Sequence, residues 1–308
     1  MINFRYHIVS LMAVFLALAV GIAAGVSLGP SVSEGLNEQA DQDRKQVVEL
    51  RAQLDQVNAL DKYRDAWATR VGAQVSLTAL SGVGVAVVSM PGAPGGVVSD
   101  ISKAVADSGG TVVRSVKVDE KAFDATKADA VEAAVQPFQS EVGLTDTMTS
   151  ATRFGRALSF SVAAKTPQER DESAMAVGNA LEKAGLATIS SDSTRRAELV
   201  IVVSAPAASP QLSPDVLQAH VQADVALLEH SGGVVVAGPD SDAIEGTDVL
   251  AVRSDGAAAA RLSTVDVADL PSGVTTTVLA GQEQLLGRPG HYGALTKADA
   301  PLPTLPVR

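Results

Sequence analysis

The hydrophobic pattern opens with one uninterrupted apolar run. From Ile8 to Leu28, IVSLMAVFLALAVGIAAGVSL, no charged side chain occurs. At 1.5 Å per residue such a run makes a helix of about 30 Å, the thickness of a bilayer's hydrocarbon core. A cleavable secretion signal has a shorter apolar region, roughly 7–15 residues, followed by a small-x-small site. Ala17-Leu18-Ala19 mimics that site but lies inside the run, so the length predicts a retained anchor, with a cut signal as the alternative. The leader, residues 1–7, carries Arg5 and His7, whereas Glu34, Glu38, Asp41 and Asp43 follow the run. Positive flanks stay cytoplasmic, so residues 8–28 read as a signal-anchor with the bulk of the chain outside the cytoplasm. Gly29-Pro30 reads as a helix stop.

Within the run, Ala13, Ala17, Gly21, Gly25 and Gly29 recur every four residues, a stripe containing G-x-x-x-G. Small residues let two helix backbones approach closely in lipid, where packing drives association, so the stripe predicts a homodimer; the plain alternative is the general abundance of Ala and Gly in membrane helices.

Residues 34–75 read as a helical coiled-coil stalk. Leu36, Ala40, Val47, Leu50, Leu54 and Val57 follow a 4-3 spacing with Asp43 in one seam position. After Val57 the stripe slips to Leu60, Tyr63, Trp67 and Val71, as a stutter does. A dimeric coiled coil continuing the glycine-striped helix is one reading, and a single helix packed on its own domain is the other.

From Gly82 the texture becomes α/β. Apolar runs at 83–90, 111–118, 199–205, 233–239 and 248–254 are continuous instead of alternating, which indicates strands buried on both faces of a largely parallel sheet. The expected fold is therefore an α/β domain over 82–295, a sheet covered by helices in Rossmann-like layers. A helix is predicted from the capping box Thr166-Pro-Gln-Glu169 to just before Gly185, and another from Ser213-Pro214 to just before Gly232. Residues 119–165 give the weakest pattern, with room for two helices. The proline-rich tail 296–308 reads as extended. A β-barrel pore is excluded, because its strands alternate and carry aromatic girdles, whereas aromatics are 3% of this chain.

Composition narrows the chemistry. Hydrophobic residues are 46% and charged ones 19% of the 308 residues, and the net charge is −11. With no basic stripe beyond Arg195-Arg196, read as a solvated pair, nucleic acid is not an expected partner. There is no cysteine, so disulfides, thiolate nucleophiles and sulfur-ligated clusters are excluded. The five methionines are scattered, which leaves no soft-sulfur site for Cu(I). No P-loop or G-x-S-x-G occurs, so no catalytic residue and no cofactor are assigned. The loop Pro91–Gly96 sits where α/β folds bind ligands but lacks lysine and reads as a turn. Of four histidines, His220 is expected to face Asp224, His230 to sit in a helix's last turn, and His291, in Gly290-His-Tyr-Gly293, is the one metal candidate. The run Asp240–Asp248 reads as a solvated acidic loop.

Three motifs carry a family resemblance: the leader with Phe4, Arg5, Tyr6 and His7; Ser263-Thr264-Val265-Asp266; and Gly290-His291-Tyr292-Gly293. Together with the apolar helix they resemble the actinobacterial MctB-like copper transporter family, departing at Val267, where members commonly carry Asn. The resemblance implies an envelope protein of copper efflux and resistance, with copper entering only on that ground. It also covers the SteB-like branch, which implies instead a scaffold for septal cell-wall remodelling, with a cytoplasmic partner and cell-wall hydrolases. It carries no catalytic residues.

Overall fold

The structure is a computed structural model describing residues 4–190, 193–207, 211–239 and 245–304, with side chains described for 6–26 and from 42 onward. The chain divides into two compact units, Met1–Arg64 and Asp65–Arg308.

The first unit is formed by helix α1 (Phe4–Val75), whose last turns belong to the second. The backbone runs as helix through Gly29-Pro30, which corrects the expected stop. An interior proline forfeits one hydrogen bond and costs about 3 kcal/mol, but the remaining i→i−4 bonds of a long helix carry it past. Tyr6–Val26 is long and apolar enough to cross a bilayer and none of it is buried within the chain. Beyond it every described residue from 42 to 67 is exposed, including Val47, Leu50, Leu54 and Val57.

The second unit is a three-layer α/β structure. Its elements run β1 (Gly84–Ser89), α2 (Gly95–Asp107), β2 (Thr111–Val118), α3 (Ala128–Val135), α4 (Gln139–Val142), α5 (Ser150–Val162), α6 (Glu172–Lys183) and β3 (Ala187–Ser190). They continue as β4 (Leu199–Val203), α7 (Pro214–Leu227), β5 (Gly233–Ala237), α8 (Asp248–Ser254), α9 (Gly256–Ala259), β6 (Ser263–Val265), α10 (Pro271–Leu285) and β7 (His291–Tyr292). The sheet order is β3-β2-β1-β4-β5-β6-β7, parallel throughout except for β3, which runs antiparallel to β2.

Continuous apolar strands arise because successive side chains enter opposite cores. Val85, Val87, Leu199, Ile201 and Val235 face the layer of α2 and α10, meeting Ile101, Val105 and Val278. Ala86, Val88, Val200, Val202 and Val234 face the layer of α3 and α5–α8, meeting Phe154, Leu158, Leu181 and Val221. Close approach decides one glycine. A Cβ on Gly155 would stand 2.4 Å from the Ala223 carbonyl oxygen, so glycine lets the α5 and α7 backbones touch.

Several expectations change. The run 248–254, read as a strand, is helix α8, because Val249 and Val252, three apart, are the apolar positions it buries. The helix expected from Thr166 begins only at Glu172, capped by Asp171, whose carboxylate accepts from Ala174 N at 2.7 Å. Residues 168–170 are drawn instead into an antiparallel ribbon with 194–196, through Arg170 N to Thr194 O and Arg196 N to Gln168 O, both 2.8 Å. That ribbon also overturns the solvated Arg195-Arg196 pair. Arg196 is buried over the Phe160 ring and paired with Asp171, while Arg195 holds Glu198. The Ser213 cap and the stop before Gly185 stand as predicted. Residues 119–165 hold α3, α4 and α5 instead of two helices. Part of the tail is built in, since Gly293 N donates to Ala300 O and Tyr292 bridges to Ala300.

Candidate functional site

The two C-terminal motifs, some twenty-five residues apart in sequence, lie on neighbouring strands β6 and β7, paired Thr264 to His291 and Val265 to Tyr292. Between them lies Arg253 from α8, which the sequence analysis did not single out. Its Nε donates to Thr264 Oγ1 at 2.8 Å, Nη1 to Asp266 Oδ2 at 2.7 Å and to Thr296 O at 2.9 Å, and Nη2 to Tyr292 O at 2.8 Å. Both side chains of the Arg253–Asp266 pair are sealed from solvent. Asp266 further accepts from Ala294 N at 2.9 Å and Leu295 N at 3.2 Å, so the buried carboxylate is ringed by donors. Gly293 closes the ring from its other side. Its φ is +137°, and a Cβ there would stand 2.0 Å from Asp266 Oδ1.

The rest of the motifs completes the network. Ser263 Oγ donates to Gln284 Oε1 and accepts from Gly290 N. Tyr292 OH donates to Glu283, and burial with that carboxylate pushes the phenol's pKa upward. Thr264 Oγ1, which accepts from Arg253 Nε, also lies within hydrogen-bond distance of His291 Nδ1, at 2.9 Å. Desolvation holds the histidine's pKa below its usual value. A metal could bind His291 through Nδ1 only by displacing Thr264. Among the described residues no group of three or more His, Asp or Glu is placed to hold a metal ion.

The other expected residues fall elsewhere. Tyr6, His7, Ala13, Ala17, Gly21 and Gly25 lie on α1, exposed, and a Cβ on Gly21 or Gly25 would meet nothing within 4 Å. The side chains of Phe4 and Arg5, and the Gly29 end of the stripe, fall outside the described side chains. The strand order reverses between β1 and β4, the place where such sheets open a ligand crevice. There the described loop Met90–Pro94 forms the expected turn, with Gly92 at φ +83°. His220 does not turn to Asp224, since its Nδ1 lies 2.8 Å from Asp248 Oδ1. Asp248 is buried, which removes it from the solvated loop; residues 240–244 of that run lie outside the described residues. His230 lies past the end of α7, half-buried against Phe160, and desolvation lowers its pKa, against the cationic role expected of it.

A helix fit to span a bilayer and an α/β domain closed by a buried Arg–Asp motif lock define the class: a membrane-associated α/β protein. The family described as "Copper transport outer membrane protein, MctB" matches residues 1–303, and the chain belongs to it. Proteins named "Copper transporter MctB" from Mycobacterium tuberculosis and Mycobacterium bovis are each 28% identical to it over 303 residues, covering 95% of this chain and 96% of theirs. One so named from Mycobacterium leprae is 27% identical over 310 residues with the same coverage.

Proposed function

We propose that this chain works in copper transport at the cell envelope, as an anchored, non-enzymatic protein. The observation that carries the reading is its likeness, over 95% of its length, to proteins named copper transporters. In this reading the apolar helix is kept, the N-terminus is cytoplasmic and the α/β domain is extracytoplasmic, following the charge bias across residues 1–43. Copper comes to this chain only from the relatives' name.

The chain is proposed to act as a parallel homodimer. Val47, Leu50, Leu54 and Val57 are 44–58% exposed along one face of α1, an apolar seam that a second copy would cover. Beside that seam Arg44 and Arg51 share one flank and Gln46 and Gln53 the other. A parallel pair sets Arg against Gln, whereas an antiparallel pair sets Arg against Arg. The anchors support the same polarity.

A second reading, a scaffold for septal or cell-wall machinery, draws support from His291, whose Nδ1 is hydrogen-bonded to Thr264 inside the motif lock. Deleting the gene and scoring copper sensitivity beside septum morphology tests the two. Copper hypersensitivity restored by the full chain supports transport; unchanged copper tolerance with aberrant septa overturns it in favour of the scaffold.

A further inference from the structure

The helical layer of the α/β domain buries three ionisable groups that no part of the copper reading uses. His220 and Asp224 stand one turn apart on α7, and Asp248 opens α8; their exposures are 4%, 2% and 3%. His220 Nδ1 meets Asp248 Oδ1 at 2.8 Å, and the Phe123 ring lies 4.2 Å from the imidazole, centroid to centroid. Asp224 Oδ2 has no hydrogen-bond partner. A carboxyl in that position is costly, since a buried polar group without a partner bears its full desolvation penalty and an ionised one bears more.

Among the described residues no cation is placed to relieve it. From α5, Arg153 is committed to Glu132 and the carbonyls of Met148 and Thr145, and Arg156 to Gly143 O and Glu229. From α8, Arg253 is committed to the motif lock, and Lys121, beside Phe123 in sequence, pairs with Asp119 at the surface. Of the ionisable groups around it, Asp248 is the one whose charge acts on Asp224, and His220 bridges to Asp248 instead of turning to Asp224.

We propose that His220, Asp224 and Asp248 form a proton-operated latch that fastens the start of α8 to α7. With Asp224 neutral the site holds one carboxylate, on Asp248, and the His220 contact ties α8 down. When Asp224 releases its proton to solvent, two carboxylates share one buried site with a single imidazole. The member able to leave is Asp248, at the first turn of a seven-residue helix. Its approach, Glu245–Thr247, is held by Gln211 Nε2 to Glu245 O at 2.9 Å, so release loosens a segment beyond the carboxyl end of β5. Desolvation, then the Asp248 charge, raises the pKa of the Asp224 carboxyl well above the usual carboxylate range, so the latch is closed while that proton is held and opens as pH rises toward the raised value.

The test is amide hydrogen exchange of residues 248–254 in the full chain, in detergent, over a pH series rising from about 5, with the intrinsic pH dependence of exchange taken from an unstructured peptide measured alongside. For one linked proton, protection should fall by roughly tenfold per pH unit more than in that peptide as pH rises from the ordinary carboxylate range toward the raised value of Asp224 in the closed latch. This excess should vanish in Asp224→Asn, which keeps the volume and cannot ionise. Persistence of the excess in Asp224→Asn, or its absence in the wild type, overturns the latch. Should that variant not fold, the infrared band of the buried carboxylic acid in the wild type replaces it. Loss of that band together with loss of protection supports the latch, and loss of either without the other overturns it.

Discussion

Arg253 Nη1 lies 2.7 Å from Asp266 Oδ2, with both side chains wholly shielded from water. The contact joins α8 to the end of β6, and through Tyr292 O and Thr296 O it also binds β7 and the chain beyond it. Three segments of the C-terminal third thereby depend on one guanidinium.

Breaking such a pair from one side leaves an uncompensated buried charge. Asp266→Asn or Arg253→Met should each destabilise the domain by about 3–5 kcal/mol, read from thermal or denaturant unfolding of the full chain. The double variant should lose less than the sum of the two. Additive losses would show that the pair does not act as a unit.

Gly293→Ala probes the same lock sterically. With φ at +137° and Asp266 Oδ1 2.0 Å from the new Cβ, alanine should cost more than about 1 kcal/mol. Wild-type unfolding behaviour in this variant would contradict the packing around Asp266.

Two histidines should set the acid limit. Desolvation lowers the pKa of both His230 and His291 below 6.5, so the unfolded chain binds these protons more readily than the folded one. Stability from each is present above 6.5 and falls as pH drops from there toward the depressed folded value. Asp224, whose folded pKa is raised, tilts stability the other way, so the readout is relative: from about pH 7.5 down to about 5 the unfolding temperature of His230→Gln should gain on that of the wild type. An unchanged difference would remove His230 from the account.

The membrane stripe makes an independent claim. Gly21 and Gly25 have no neighbour within the chain near their Cβ directions, so Gly21→Leu with Gly25→Leu disturbs only contacts between chains. Crosslinked dimer in membranes should fall strongly in that variant. Unchanged crosslinking would assign dimerisation to the stalk alone.

Copper gives the fifth prediction. With no cysteine and with His291 committed inside the lock, the full chain in detergent should not bind Cu(I) with submicromolar affinity in a competition titration. Tight stoichiometric binding would place copper on the protein itself.

The chain's linear pattern was enough to read the apolar helix, four of the parallel strands, the Ser213 cap and the α/β class. These rest on periods of 3.6 and 2 and on capping chemistry between residues a few positions apart. The order of the strands, the antiparallel turn of β3 and the helical nature of 248–254 are set by contacts between distant segments. DVLAVRS is apolar enough for a strand, and only its packing against α7 and β6 makes Val249 and Val252 the apolar pair it buries.

The candidate site divides in the same way. The family resemblance marked Ser263–Asp266 and Gly290–Gly293 as short motifs, but not what they do. Tertiary structure supplied Arg253 between them, gave His291 Nδ1 to Thr264, and moved Asp248 from solvent to His220. The lone charge in VLAVRS, followed thirteen residues later by the aspartate that ends STVD, was the available signal. A buried charge requires its counter-charge nearby in space, and sequence distance does not report that.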